Sequence, residues 1–98
     1  SLEVENLRKN GPIKIDEYTK AIKAHANGSV LTITYAVSLS GNEIDWETAS
    51  PSILKDSQNK LCSDNIMKTL VASGAVYRYV YLDKNGANLG ALTISQCY

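Results

Sequence analysis

An excess of charge of one sign and a long apolar run are both missing from this sequence of 98 residues. It contains ten Lys and Arg side chains and ten Asp and Glu side chains, so its formal net charge is zero. Binding to nucleic acids or to membrane surfaces normally depends on an excess of positive charge. We therefore expect no nucleic-acid partner and no other polyanionic partner.

No apolar run approaches the roughly 18 residues that a membrane-spanning helix needs. Residues 1–10 also lack the basic start and the apolar centre of a signal peptide. We expect a soluble chain, and these residues leave open an upstream targeting signal or lipid anchor. The length suits one domain, over residues 1–98, with a single core.

Residues that could support catalysis or metal binding are scarce. His25 is the only histidine, and it has no nucleophile and no orienting carboxylate beside it in the sequence. Glu43, Asp45 and Glu47 alternate in one segment, but a calcium loop draws on more oxygen ligands, which favours a solvated acidic loop. We predict no catalytic residue, no metal site and no cofactor.

The two cysteines, Cys62 and Cys97, have no further ligands of the spacing that a zinc site needs. Three interpretations of the cysteines remain: a disulfide, two buried thiols or a redox pair. A redox pair usually has its cysteines close together as C-x-x-C, unlike these two. We favour the disulfide because Cys97 is the penultimate residue and a terminal strand frays unless it is tied down. A disulfide would indicate an oxidising compartment outside the cytosol.

Alternation of apolar and polar residues predicts four strands in two hairpins. Asn27-Gly28 predicts a type I′ turn in the first hairpin, and residues 83–86 predict the turn of the second. In the first strand the apolar side chains fall at even positions, including Ile22. The predicted strands are residues 18–26, 31–39, 76–82 and 89–95.

Capping residues predict two helices between the hairpins. Ser50 before Pro51 begins the first helix, and the second follows a cap at Asp64 and ends at Gly74. A short helix is also predicted over residues 2–9. The element order is therefore α-β-β-α-α-β-β, an α+β fold in which a four-stranded, mainly antiparallel sheet carries its helices on one face.

The third predicted strand has apolar side chains on both faces. Tyr77, Tyr79 and Tyr81 share one face, and valines, Leu82 and Arg78 share the other. Helices on one side would cover only one of these faces, so a second layer is expected on the tyrosine face. Either residues 1–15 pack back there, or the tyrosines line a groove for a partner.

Two groups of short motifs occur in order along the chain. The first is Leu61-Cys62-Ser63-Asp64-Asn65, then the predicted helix that ends at Gly74, Tyr77-x-Tyr79, a turn and Cys97. The second is Gly11-Pro12-Ile13-Lys14, followed by Tyr18-Thr19 and a hairpin. Together they resemble the small outer-membrane pilotin lipoproteins of bacterial type II secretion systems. The likeness spans most of the chain, but the segment around Trp46 has no obvious counterpart.

This resemblance implies a periplasmic, non-catalytic chaperone that is tethered to the outer membrane by a lipidated cysteine upstream of Ser1. It implies that the protein binds the C-terminal helical segment of a secretin and promotes secretin targeting and assembly. We expect a monomer that holds this helix in an apolar groove, with little contribution from charge. Strand alternation, and not the family, suggests Tyr77, Tyr79 and Tyr81 as the residues of the groove.

A different function is also open. A periplasmic inhibitor or immunity-like protein would block an enzyme or a toxin through a protruding loop, for which the loop from Gly41 to Glu47, with Trp46, is the candidate. A structural lipoprotein without a defined ligand is the third alternative.

Overall fold

The computed structural model describes residues 13–97, and the predicted helix over residues 2–9 lies outside them. Within the described residues, no helix has the length and apolar character needed to cross a membrane. The elements in chain order are β1 (Ile13–Lys14), β2 (Thr19–Asn27), β3 (Val30–Val37), α1 (Trp46–Ser63), α2 (Asn65–Ala72), β4 (Val76–Leu82) and β5 (Asn88–Ile94).

In the described part of the chain the strands form one five-stranded sheet in the order β1-β2-β3-β4-β5. Three of its strand pairings are antiparallel, and the fourth, between β3 and β4, is parallel. The predicted α+β class and the two hairpins are confirmed. The prediction of four strands is wrong by one, because Ile13 and Lys14 pair with Ala21 and Lys20 as a short edge strand.

A bulge in β2 changes which residues face the core. The register passes from Ala21 opposite Tyr35 to Lys23 opposite Thr34, so Ile22 is the extra residue. Ala21 is therefore buried, whereas Ile22 is 42% exposed. The uniform alternation predicted for this strand is wrong at Ile22, because a single inserted residue reverses the order of the two faces.

The turn between β2 and β3 lies one residue later than predicted. Asn27 pairs with Val30, which leaves Gly28 and Ser29 as the loop. Gly28 has a φ of 60°, whereas no other residue type in the described range has a positive φ. The loop therefore fits a type II′ turn, which needs glycine at its first position only, rather than the predicted type I′ turn.

Helix α1 begins at Trp46, earlier than the predicted start at Ser50. Asp45 caps it: the carboxylate accepts hydrogen bonds from the Thr48 hydroxyl at 2.7 Å and from the Thr48 N–H at 3.4 Å. These hydrogen bonds hold the pKa of Asp45 below its usual range. Pro51 consequently lies inside the helix, where its missing N–H leaves one backbone hydrogen bond unmade.

Both helices cover the tyrosine face of the sheet. The Tyr77 hydroxyl donates a hydrogen bond to the Met67 sulfur of α2 at 3.3 Å, and the Trp46 ring of α1 packs on Tyr81. The second layer expected on this face is therefore the helices themselves, and the opposite face carries no helix within the described residues. The buried core comprises Ala21, Leu31, Ile33, Val37, Leu61, Val71, Tyr77, Tyr79, Tyr81, Leu92 and Ile94.

The predicted disulfide is confirmed. Cys62 lies near the end of α1 and Cys97 follows β5, with a Cα–Cα distance of 5.6 Å. The Gln58 side-chain amide also donates a hydrogen bond to the backbone oxygen of Gln96 at 2.9 Å. These two links attach the segment after β5 to the helical layer.

We expect replacement of both cysteines by serine to lower the free energy of unfolding by about 4 kcal/mol. The disulfide closes a loop with a sequence separation of 35, and its loss returns the corresponding entropy to the unfolded chain. Urea unfolding followed by circular dichroism measures the change. The matched control is reductant, which should destabilise the unmodified chain by a similar amount and leave the double variant unaffected. Equal stability of the double variant and the unmodified, disulfide-bonded chain would contradict the prediction.

Candidate functional site

A cleft lies between the helices and the sheet, on the tyrosine face. Its volume is about 520 Å³, and it is partly open to solvent. Because its walls come from the β1–β2 segment, α1, α2 and two central strands, the cleft exists only in the folded chain. The apolar side chains that line it are Ile15, Tyr35, Ile53, Leu61, Met67, Tyr79 and Tyr81.

The floor of the cleft is aromatic. The ring centroid of Tyr35 lies 5.1 Å from that of Tyr81 and 5.6 Å from that of Tyr79. The Trp46 ring extends the group, with its centroid 5.2 Å from that of Tyr81. Such separations are those of favourable aromatic pairs. The parallel register brings these rings together, because Tyr35 lies directly opposite Tyr81.

The three tyrosines predicted as groove residues have different positions. Tyr79 and Tyr81 line the cleft, although their side chains are only 6% and 8% exposed. Tyr77 is 2% exposed, is not among the lining residues, and contacts Met67 through its hydroxyl. Their role in partner binding stays a prediction. A ligand in the cleft could contact Tyr79 and Tyr81, whereas Tyr77 does not line it.

Sequence reasoning missed three residues that shape the cleft. Tyr35 belongs to the predicted apolar face of β3, but only the parallel register shows that it lies against Tyr79 and Tyr81. Met67 lies within the second predicted helix, but no pattern in the sequence indicates that its side chain faces the sheet. Ile15 precedes the first predicted strand, and no local pattern marks it as part of a site.

Acidic side chains predominate at the rim of the cleft. Burial raises the pKa of the Tyr81 phenol, a hydrogen bond with Ser57 opposes the rise, and the negative charge of Asp16 adds to it. Asp16 and Asp56 belong to different walls of the cleft, so a ligand would meet negative charge on two sides. The polar lining residues are Asp16, Thr19, Asp56, Ser57, Lys60 and Asp64.

Exposed apolar side chains adjoin this cleft. Ile15, at its mouth, is 48% exposed. On α2, Ile66 and Leu70 are 65% and 42% exposed, and they lie one helical turn apart on either side of Met67 in the sequence. Apolar surface is therefore available both inside the cleft and on the helix that bounds it.

Trp46 is packed inward rather than displayed at a loop tip. Gly90 of β5 makes room for its indole ring, because a Cβ at position 90 would overlap the indole nitrogen. Gly41, at the start of the same segment, donates its N–H to the Asp83 carboxylate at 3.2 Å. The predicted interaction loop is thus attached to the β4–β5 hairpin at both ends.

Asp83 is the one buried charged residue of the described chain, with 7% of its surface exposed. Its carboxylate accepts hydrogen bonds from the N–H groups of Ala87, Asn85 and Gly41. The hydrogen bond from Ala87 is the main reason that the pKa of Asp83 lies below its usual range. This carboxylate therefore has a structural role in the turn that supports the Trp46 segment.

Among residues 13–97, no group of three His, Cys, Asp or Glu side chains is placed to hold a metal ion. Of the alternating acidic residues, Asp45 caps α1, and Glu47 lies in its first turn. His25 is exposed on the helix-free face of the sheet, away from the cleft.

Three solved structures are similar to this chain over most of its length. A protein of Pseudomonas aeruginosa described as secreted has a TM-score of 0.77 at 18% identity, with 95% of this chain and 82% of that chain covered. The pilotin EpsS of the Vibrio vulnificus type 2 secretion system has a TM-score of 0.77 at 16% identity, with 97% and 83% covered. The type II secretion system pilotin AspS of Vibrio cholerae has a TM-score of 0.71 at 13% identity, with 97% and 84% covered. No protein-family profile and no curated protein matches the sequence.

We expect Gly90→Ala to displace the Trp46 ring and to destabilise the chain by about 1–3 kcal/mol, because the added methyl group overlaps the indole. Trp46 is the only tryptophan, so its fluorescence reports the change directly as a shift of the emission maximum to longer wavelength. Ala91→Ser, at the exposed neighbouring position on the other face, is the matched control. An unchanged emission spectrum and an unchanged unfolding midpoint for Gly90→Ala would show that the indole does not pack on Gly90.

Proposed function

Starting from the fold that this chain shares with type II secretion pilotins, we propose that it is a non-catalytic binding protein that promotes the targeting and assembly of an outer-membrane secretin. In this proposal the C-terminal helical segment of the secretin lies along the cleft between the helices and the sheet. The observation that carries the proposal is the apolar, aromatic-floored cleft with exposed Ile15 at its mouth. The shared fold supports the choice of partner.

The size of the cleft favours partial insertion of a helix. A helix with its side chains is about 10 Å across, so a cavity of about 520 Å³ takes the side chains of one helical face and not the whole helix. Helices that bind in grooves present apolar anchors at spacings of three and four residues. Ile15, Met67 and the edges of Tyr79 and Tyr81 are the surfaces that such anchors would contact.

The acidic rim of the cleft should favour peptides that carry positive charge. Asp16 and Asp56 lie on separate walls, and Lys60 is the one cation among the lining residues. A helix with lysine or arginine beside its apolar face would place positive charge against these carboxylates. Charge should therefore influence the choice of peptide and the rate of association more than the final affinity.

The proposed location is the periplasm, with a lipidated cysteine upstream of Ser1 as the tether to the outer membrane. The Cys62–Cys97 disulfide supports an exported chain, because the cytosol keeps such thiols reduced. The fold shared with pilotins supports the same compartment. We propose that the chain acts as a monomer, since the cleft is formed within a single copy.

The alternative of an inhibitor that acts through the loop from Gly41 to Glu47 has less support. Its large apolar side chain, Trp46, packs against Tyr81 and Gly90. An interaction loop is expected to present such a side chain to its target instead.

We expect Ile15→Asp to weaken binding of a secretin C-terminal peptide by at least about tenfold, because a carboxylate would replace an apolar contact at the cleft mouth. Titration calorimetry of the purified, oxidised domain against synthetic secretin peptides measures the affinity. Circular dichroism of the same mixtures should show a gain of helical signal as the peptide folds in the cleft.

The matched control is Ile22→Asp. Ile22 is 42% exposed, close to the 48% of Ile15, but it is not a lining residue of the cleft. The control should bind like the unmodified chain. Equal affinity for Ile15→Asp and the unmodified chain would place the peptide elsewhere, and failure of every secretin peptide to bind would refute the proposed partner.

A further inference from the structure

The described strands place only positively charged side chains on the face of the sheet opposite the helices. Lys14, Lys20, Lys23 and Arg78 are all exposed there, together with His25. None of the five strands contains an Asp or a Glu. Although the net charge of the sequence is zero, this face of the sheet is basic, because no strand residue neutralises its cations.

The strand register places these residues on one surface. Lys14 lies opposite Lys20 on the neighbouring strand. Arg78 of β4 lies opposite Thr32 of β3, which in turn lies opposite His25 of β2. A shallow depression of about 400 Å³ lies at the centre of this surface. Its lining residues are Lys23, His25, Thr32, Thr34 and Arg78.

The chemistry of this depression suits a phosphate group. Lys23 and Arg78 supply positive charge from two sides of it, and the guanidinium of Arg78 can donate two parallel hydrogen bonds to phosphate oxygens. Thr32 and Thr34 add hydroxyl donors between the two cations. The exposed imidazole of His25 adds a further donor.

The rest of the face favours a membrane over a nucleic acid. On β4 the cation Arg78 is flanked by Val76 and Val80, and Ala91 lies opposite Val80 on β5. Proteins that bind single-stranded nucleic acids without sequence preference stack the bases on aromatic rings. Here Tyr77, Tyr79 and Tyr81 all face the helices instead, whereas small apolar side chains beside cations suit the headgroup region of a bilayer.

We propose that this basic face, defined by Lys14, Lys20, Lys23, His25 and Arg78, docks on the surface of an anionic phospholipid bilayer. The depression at Lys23 and Arg78 holds the phosphate of one headgroup. The cleft lies on the other side of the sheet, so it stays accessible while the basic face is in contact with lipid. This inference does not depend on the identity of the peptide that the cleft binds.

Screening explains why a neutral chain can bind in this way. The screening length at physiological ionic strength is about 8 Å. The smallest extent of the molecule is 22 Å, so carboxylates on the far side of the helices contribute little to the field at the basic face. The electrostatic attraction to an anionic bilayer would therefore depend on the cations of the basic face and not on the net charge of the chain.

The test is sedimentation of the purified domain with vesicles of phosphatidylcholine, alone or mixed with phosphatidylglycerol. We expect binding to the anionic vesicles at low salt and its loss at high salt, with little binding to phosphatidylcholine alone. Each lysine or arginine near an anionic surface contributes about fivefold in affinity, so Lys23→Gln with Arg78→Gln should weaken binding by roughly 25-fold.

The matched control is Lys55→Gln with Lys68→Gln, which removes two exposed cations from the helices and gives the same net charge. This control should bind the anionic vesicles like the unmodified chain. Equal weakening of both double variants would overturn the proposal, as would equal binding to neutral and anionic vesicles. Circular dichroism verifies that both variants fold.

Two further experiments distinguish binding to a lipid surface from binding to other sources of phosphate. Inorganic phosphate, compared with chloride at the same ionic strength, should not displace the domain from anionic vesicles. Displacement by inorganic phosphate alone would assign the depression to a soluble phosphate and overturn membrane docking. Tighter binding to a single-stranded oligonucleotide than to anionic vesicles would also overturn it.

Discussion

The parallel pairing of β3 with β4 is the constraint on which the other features of this chain depend. Two adjacent parallel strands need a crossover connection, which here consists of α1 and α2. One crossover places both helices on the same side of the sheet. The tyrosines of β4 are therefore buried beneath the helices, and a cleft remains between the two layers. Within residues 13–97, no helix packs on the opposite face.

Local patterns predicted the elements better than their arrangement. The sequence alone predicts β4 and its turn, the cap at Asp64 and the disulfide, because each depends on nearby residues or on cysteine count. The bulge at Ile22 and the start of α1 at Trp46, after its cap Asp45, were not predicted, because one inserted residue and a competing cap leave weak local signals. The aromatic floor was not predictable, because it needs the register that places Tyr35 opposite Tyr81.

The two faces of the sheet differ in chemistry in a way that composition hides. The helix side offers aromatic and aliphatic surface with carboxylates at the rim of the cleft. The basic face offers lysines, Arg78 and threonines, and none of the strands that the structure describes contains an acidic residue. A protein that delivers an apolar helix to a membrane would use both faces, one for the peptide and one for the lipid surface.

The most direct test of the central claim is nuclear magnetic resonance of the labelled domain, titrated with a secretin C-terminal peptide. The account predicts that the largest chemical-shift changes and the intermolecular contacts occur at Ile15, Ile53 and Met67, whose methyl groups line the cleft. Thr32 and Thr34 on the open face should remain unchanged. Changes confined to those threonines, or the absence of intermolecular contacts with the cleft methyl groups, would contradict the account.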